Sequence, residues 1–134
     1  MLIPTDAVCA SAFSDDAFVG VYDADAIPSD LMALDIGPET TTRYMAEVQK
    51  AQTVVWNGPM GVFEMEKYKA GTLSIALSLS VSNAVTVIGG GDSAAAVAQF
   101  GLADKMTHIS TGGGASLEYL EGKVLPGIAC LQDK

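Results

Sequence analysis

Two stretches of this chain carry the same punctuation: an apolar run, three consecutive glycines, a serine, then a helix-forming segment. They are Val85-Thr-Val-Ile-Gly-Gly-Gly-Asp-Ser93 and Met106-Thr-His-Ile-Ser-Thr-Gly-Gly-Gly-Ala-Ser116, with Gly89 mapping to Gly112 and Ser93 to Ser116 at an offset of 23 residues. That offset is close to one βαβ repeat, so both glycine loops are expected at the same carboxyl edge of a parallel sheet. Few folds accommodate such a repeat.

The rest of the chain is consistent with it. Apolar runs at Ala7–Ala10, Thr53–Trp56, Ala84–Ile88 and Met106–Ser110 read as buried strands. Between and after the later ones lie helical patterns. Residues 39–51 follow Gly37-Pro38, which puts proline at a first helical position, with Tyr44, Met45 and Val48 at helical spacing. Residues 72–79 place Leu73, Ile75, Ala76 and Leu79 largely on one side; residues 93–100 stop at Gly101 and residues 115–120 at Gly122. This alternation predicts an α/β fold, Rossmann-like and three-layered (α/β/α), with a parallel sheet covered on both faces. The stretch from Phe13 to Pro28 breaks the rhythm and reads as a surface hairpin or excursion.

Composition excludes several classes. Hydrophobic residues make up 49% of the chain and charged residues 17%, a globular balance that 134 residues can turn into a core. No apolar run reaches the ~20 residues of a membrane span, and the first residues lack the basic and apolar blocks of a signal peptide. Cys9 and Cys130 are far apart and outside any C-x-x-C spacing, as expected of reduced thiols in a cytoplasmic protein. The net charge of −9 is uneven: residues 1–42 hold eight acids and no Lys or Arg, whereas residues 43–134 hold eight acids and all seven bases. Without clustered cations, nucleic acid is an unsuitable partner. The acidic third is either a solvated face or a face whose basic complement lies elsewhere.

Glycines let backbone N–H groups turn inward, and a following helix N-terminus adds about half a positive charge, so each loop has the parts of an anion site. A strand-to-helix turn needs glycine too, but two aligned loops favour phosphate. The serine just inside each helix can cap it or bind an oxyanion. Gly89-Gly-Gly-Asp-Ser-Ala94 formally matches the dinucleotide fingerprint, yet the ribose acid expected ~20 residues on is missing from 110–114. Asp92 inside the loop would repel bare pyrophosphate and makes sense with Mg²⁺ between carboxylate and phosphate. No Gly-Lys-Ser/Thr occurs, so there is no Walker A loop. In the third segment, Val54-Val-Trp-Asn-Gly-Pro-Met-Gly-Val-Phe-Glu64, Asn57 can bind ligand or satisfy its turn, and Glu64 can accept ribose hydroxyls or face water. Trp56 and Phe63 read as core. His108, the only histidine, lies in an apolar strand and is a poor candidate for a base. Lys105 and Lys123 read as solvent-facing.

Together these segments resemble, in order and spacing, the C-terminal signatures of phosphoglycerate kinase. Leu34-Asp-Ile-Gly-Pro38, Asp104-Lys-Met through Leu-Glu118, and Leu120-Glu-Gly-Lys-Val-Leu-Pro-Gly127 extend the likeness over essentially the whole chain. The resemblance implies that residues 1–134 are the C-terminal part of that family's nucleotide-binding domain, with the N-terminal substrate domain absent. It implies phosphoryl transfer between 1,3-bisphosphoglycerate and ADP, giving 3-phosphoglycerate and ATP with Mg²⁺, as in glycolysis. Asn57, Gly90, Gly91, Asp92 and Ser93 would hold nucleotide phosphates, Asp92 the Mg²⁺, and Glu64 the ribose. Gly112 and Gly113 would aim amides at the transferring phosphoryl group. The family's basic patch, arginine and phosphate-facing lysines are missing, so the chain alone is expected to be inactive, and a complementary chain of the same enzyme is an expected partner. The competing readings are a non-catalytic nucleotide-binding module and a piece of a Rossmann oxidoreductase. The tail from Gly127 is expected to be loose.

Overall fold

The computed structural model describes residues 1–131; the last three residues of the tail lie outside it. Two three-stranded sheets organise the chain. The first is antiparallel, ordered β2-β1-β3, from β1 (Asp6–Ala10), β2 (Val19–Asp23) and β3 (Met32–Ile36). The second is parallel, ordered β4-β5-β6, from β4 (Thr53–Asn57), β5 (Val85–Gly89) and β6 (His108–Ser110). Helices α1 (Pro38–Lys50), α2 (Ala70–Val81), α3 (Gly91–Gln99), α4 (Gly113–Leu120) and the short α5 (Pro126–Ala129) complete the described chain.

The excursion after β1 is a hairpin strand, since β2 pairs antiparallel with β1. β3 carries little strand signal in the sequence: Met32–Ile36 is short and has Asp35 in its interior. The Ala7–Ala10 run does not join the parallel sheet. It is the central strand of the antiparallel one, which explains its near-complete burial at Cys9 and Ala10. Ala10, Leu34 and Tyr68 form the small core beneath that sheet. Tyr68, in a 3₁₀ turn at Glu66–Tyr68, is fully buried and donates its hydroxyl to Ser14 O at 2.6 Å, which pins the β1–β2 loop.

The main core lies on one face of the parallel sheet. Trp56 and Ile88 pack against Ile75 and Leu79 of α2 and Val97 of α3, with Tyr44, Met45 and Val48 of α1 outside them. Burying each large apolar side chain stabilises the fold by about 1.5–3 kcal/mol. Crossovers of one hand place α2 and α3 on the same face. The opposite face is covered only in part: α4 borders its carboxyl end, while Val55 and Val85 remain half exposed. The layered α/β fold stands, but full cover of both faces does not follow from the helices of this chain.

Candidate functional site

The parallel register sets Asn57 opposite Gly89 and Gly89 opposite Ser110, so the three strands end together. The turns that follow share one edge, as the 23-residue repeat requires. Gly90 N–H donates to Ser110 O at 3.0 Å and ties one glycine loop to the other. Gly90 has φ +95, a conformation that disfavours any side chain, and a Cβ on it would stand 3.0 Å from Asn57 Oδ1. The amide oxygen of Asn57 also lies 3.2 Å from where a Gly113 Cβ would be, so it sits between the loops.

A cavity of about 370 Å³ opens at this junction, lined by Asn57, Gly58, Gly90, Gly91, Asp92, Ser93, Gly113, Gly114 and Leu117. The N-termini of α3 and α4 both face it, and neither has a side-chain cap. First-turn amides have no intrahelical acceptor, so two sets of donors and two positive dipole ends converge there. Among the described residues, no basic one lines it. Asp92 is exposed and puts its carboxylate at the start of α3.

Of the residues singled out, Asn57, Gly90, Gly91, Asp92, Ser93 and Gly113 come together in this cavity. Gly112 does not line it; it borders a larger apolar cavity of about 550 Å³ on the open sheet face, beside Val55, Val87 and His108. Glu64 is exposed and outside both cavities. The helix-start serines do not cap their own helices. Ser93 is fully buried and its Oγ accepts the Gly58 N–H at 2.7 Å, whereas Ser116 Oγ meets Ser110 Oγ at 2.9 Å. Each serine braces its helix against a neighbouring loop or strand. His108 is exposed on the open face; Trp56 and Phe63 are core; Lys105 is exposed and Lys123 pairs with Glu121 at 2.6 Å.

Three positions that hold this site in place were not singled out. Thr72 Oγ1 accepts the N–H groups of Met60 and Gly61, each at 3.1 Å, and so fastens the loop after Asn57 to α2. Asp35 accepts the Gly71 N–H at 2.7 Å and its own neighbour's, Ile36, at 2.9 Å. Asp6 accepts from Glu39 N (3.0 Å), Thr40 N (2.8 Å) and Thr40 Oγ1 (2.6 Å). Neither α1 nor α2 has a side-chain cap from its own N-cap residue. Two carboxylates of the antiparallel sheet do that work from a distance. Burial pushes Asp35 up to about 6, against the two amides that lower it. At Asp6 burial also raises, but the Thr40 hydroxyl and the Thr40 and Glu39 amides outweigh it, and the carboxyl ends below its ordinary value.

The family model for phosphoglycerate kinase matches residues 1–123. The chain belongs to the phosphoglycerate kinase family. It is 60% identical to the phosphoglycerate kinases of Herpetosiphon aurantiacus and Clostridium tetani over all of its own length, covering 34% and 33% of theirs. Phosphoglycerate kinase from Coxiella burnetii superposes with a TM-score of 0.89 at 44% identity, over 96% of this chain and 33% of that one. The enzyme from Pyrococcus horikoshii OT3 gives 0.79 at 34% identity, over 94% and 31%. The chain therefore spans about a third of the length of these kinases. The glycine repeat belongs to a kinase family, and the oxidoreductase reading falls. Among the described residues, no helix is long and apolar enough to cross a membrane.

Proposed function

We propose that residues 1–134 are the C-terminal part of a phosphoglycerate kinase nucleotide domain, and that ADP or ATP binds with its phosphates in the cavity between the glycine loops. One observation carries this reading: Asn57, Gly90, Gly91, Asp92, Ser93 and Gly113 line a single cavity at two uncapped helix N-termini. Convergent amides suit an anion, and with no cation among the described lining residues its charge would be neutralised from outside the cavity. A lone exposed carboxylate fits Mg²⁺, which takes one or two carboxylates and draws its other ligands from phosphate and water. Asp92 would hold that ion, and the ion would screen phosphate charge. Gly113 would offer its amide to the transferring phosphoryl group from within the cavity, contributing ~3–4 kcal/mol to its stabilisation by analogy with oxyanion donors. Gly112 beside it would add a second amide, and Glu64 would serve the ribose where the nucleotide extends beyond the cavity.

The whole reaction, between 1,3-bisphosphoglycerate and ADP in the cytoplasm, needs groups from the two-thirds of the relatives' length that this chain does not match. Phosphoryl transfer rests on positioning and on cations around the phosphoryl oxygens. Three further features support a complementary segment as partner. Among the described residues, β4 pairs only with β5 and its outer edge is open; the Val55 and Val85 face is half bare; and the buried Trp56 Nε1 lacks an acceptor. The chain alone is inactive in this reading. Mixing it with the preceding segments of a relative and following ATP formation from 1,3-bisphosphoglycerate and ADP should restore turnover. Robust turnover by the purified chain would overturn the dependence on a partner.

A further inference from the structure

We propose that Asp35 is a positioning residue whose ionisation state is transmitted, through the first turn of α2, to the loop that runs from Asn57 to Glu64. Asp35 touches neither cavity at the glycine loops. It acts through contacts that form a short chain. Its Oδ2 accepts Gly71 N–H, and the next residue, Thr72, fully buried, receives the amides of both Met60 and Gly61 on one oxygen. From the other side, Val62 N–H donates to Leu34 O at 2.9 Å, beside Asp35 in β3. Gly61 and Gly71 both pack so closely on the Asp35 carboxylate that neither has room for a Cβ. The loop held this way begins at the Asn57–Gly58 turn, which Ser93 fixes to α3. A shift of the α2 start therefore moves the loop at one end while its other end stays on the phosphate cavity.

The carboxylate has two amide donors, one per oxygen. A protonated carboxyl makes one oxygen a donor and a poorer acceptor, so one of these amide bonds weakens and its geometry shifts. Little else can compensate. Among the described residues, Asp35 and Asp6 are the ionisable groups lining the cavity of about 470 Å³ beside them, and no Lys, Arg or His lines it. Asp6 faces α1 and is engaged by Thr40 and Glu39. Lys69, just before α2, is paired with Glu66 at 2.6 Å. β1 presents Val8 opposite Asp35, and residues 59–63 and 70–72 carry no charge. With burial raising it to about 6, the group changes state within the range where the protein can be studied folded.

This inference rests on the nucleotide reading only for its consequence; the coupling is tested without nucleotide. In the ¹⁵N-labelled chain, the amide resonances of Gly71, Met60 and Gly61 should move together between pH 5 and 7.5 with one midpoint near 6. Asp35→Asn should flatten all three, which separates this group from every other that ionises. Thr72→Val should leave Gly71 titrating and abolish the response at Met60, while Gly61, which also packs directly on the Asp35 carboxylate, keeps part of its own. A role confined to folding would not be cut at Thr72. The proposal is overturned if Met60 stays still while Gly71 titrates, or if its response survives in Asp35→Asn or in Thr72→Val. Should Asp35→Asn not fold, the wild-type and Thr72→Val titrations decide. Measuring Mg·ADP affinity separately shows whether the cavity binds nucleotide at all, so failure of one idea is distinguishable from failure of the other.

Discussion

A Cβ placed on Gly113 would stand 2.5 Å from the Cα of Gly90, so the two glycine loops touch backbone to backbone. Gly114, one residue on, has open space where its Cβ would be. Neighbouring glycines should therefore respond oppositely to alanine. Gly113→Ala must push the loops apart and should destabilise by about 1–3 kcal/mol. Gly114→Ala, inside α4, should be neutral or stabilising by up to about 1 kcal/mol. Urea unfolding of both variants checks the pair, and equal effects would refute the close contact.

Asp92→Asn should weaken nucleotide binding in the presence of Mg²⁺ and leave metal-free binding unchanged or improved. The exposed carboxylate at the start of α3 repels bare phosphate and attracts it only through a cation. Calorimetric titration of ADP with and without Mg²⁺, in a complemented or full-length background, gives the comparison. Equal losses in both arms would count against a metal role.

Asp6 and Asp35 should pull stability in opposite directions with pH. The folded value of Asp6 is lowered, so its contribution is present above the ordinary 3.8 and lost as pH falls below it. Asp35 is raised from 3.8 to about 6, so the stability it contributes is full below 3.8 and lost as pH rises to 6. The span corresponds to about 3 kcal/mol. Relative to wild type, Asp35→Asn should gain stability from pH 4 to pH 7. Asp6→Asn should be most costly near neutrality and least below pH 4. Unfolding free energies at four pH values test both signs.

The two thiols should differ sharply in reactivity. Cys9 is fully buried and burial raises its thiol, whereas Cys130 is exposed. An aromatic disulfide reagent should modify one thiol rapidly in the folded chain and the second only with denaturant. Fast loss of both would mean that the antiparallel sheet opens readily.

Much of the candidate site is legible in the sequence because its residues are close in the chain and chemically restrictive. A triple glycine between an apolar run and a helix has few uses, and the repeat of Gly89–Ser93 at Gly112–Ser116 forces two such loops to one edge. The order of β4, β5 and β6 and the helices between them follow from periodicity of the same kind. Tertiary structure decided what depends on partners far apart in sequence. No local signal says that Asp6 caps a helix 33 residues later, that Asp35 holds Gly71, or that Ser93 faces Gly58. The Ala7–Ala10 run looks like any buried strand, and only its pairing with β2 and β3 takes it out of the parallel sheet. Periodicity reports which side of an element is apolar. Which partner meets that side, and which buried carboxylate finds an amide, is settled when the elements pack and each unpaired polar group must find a partner or be excluded from the core.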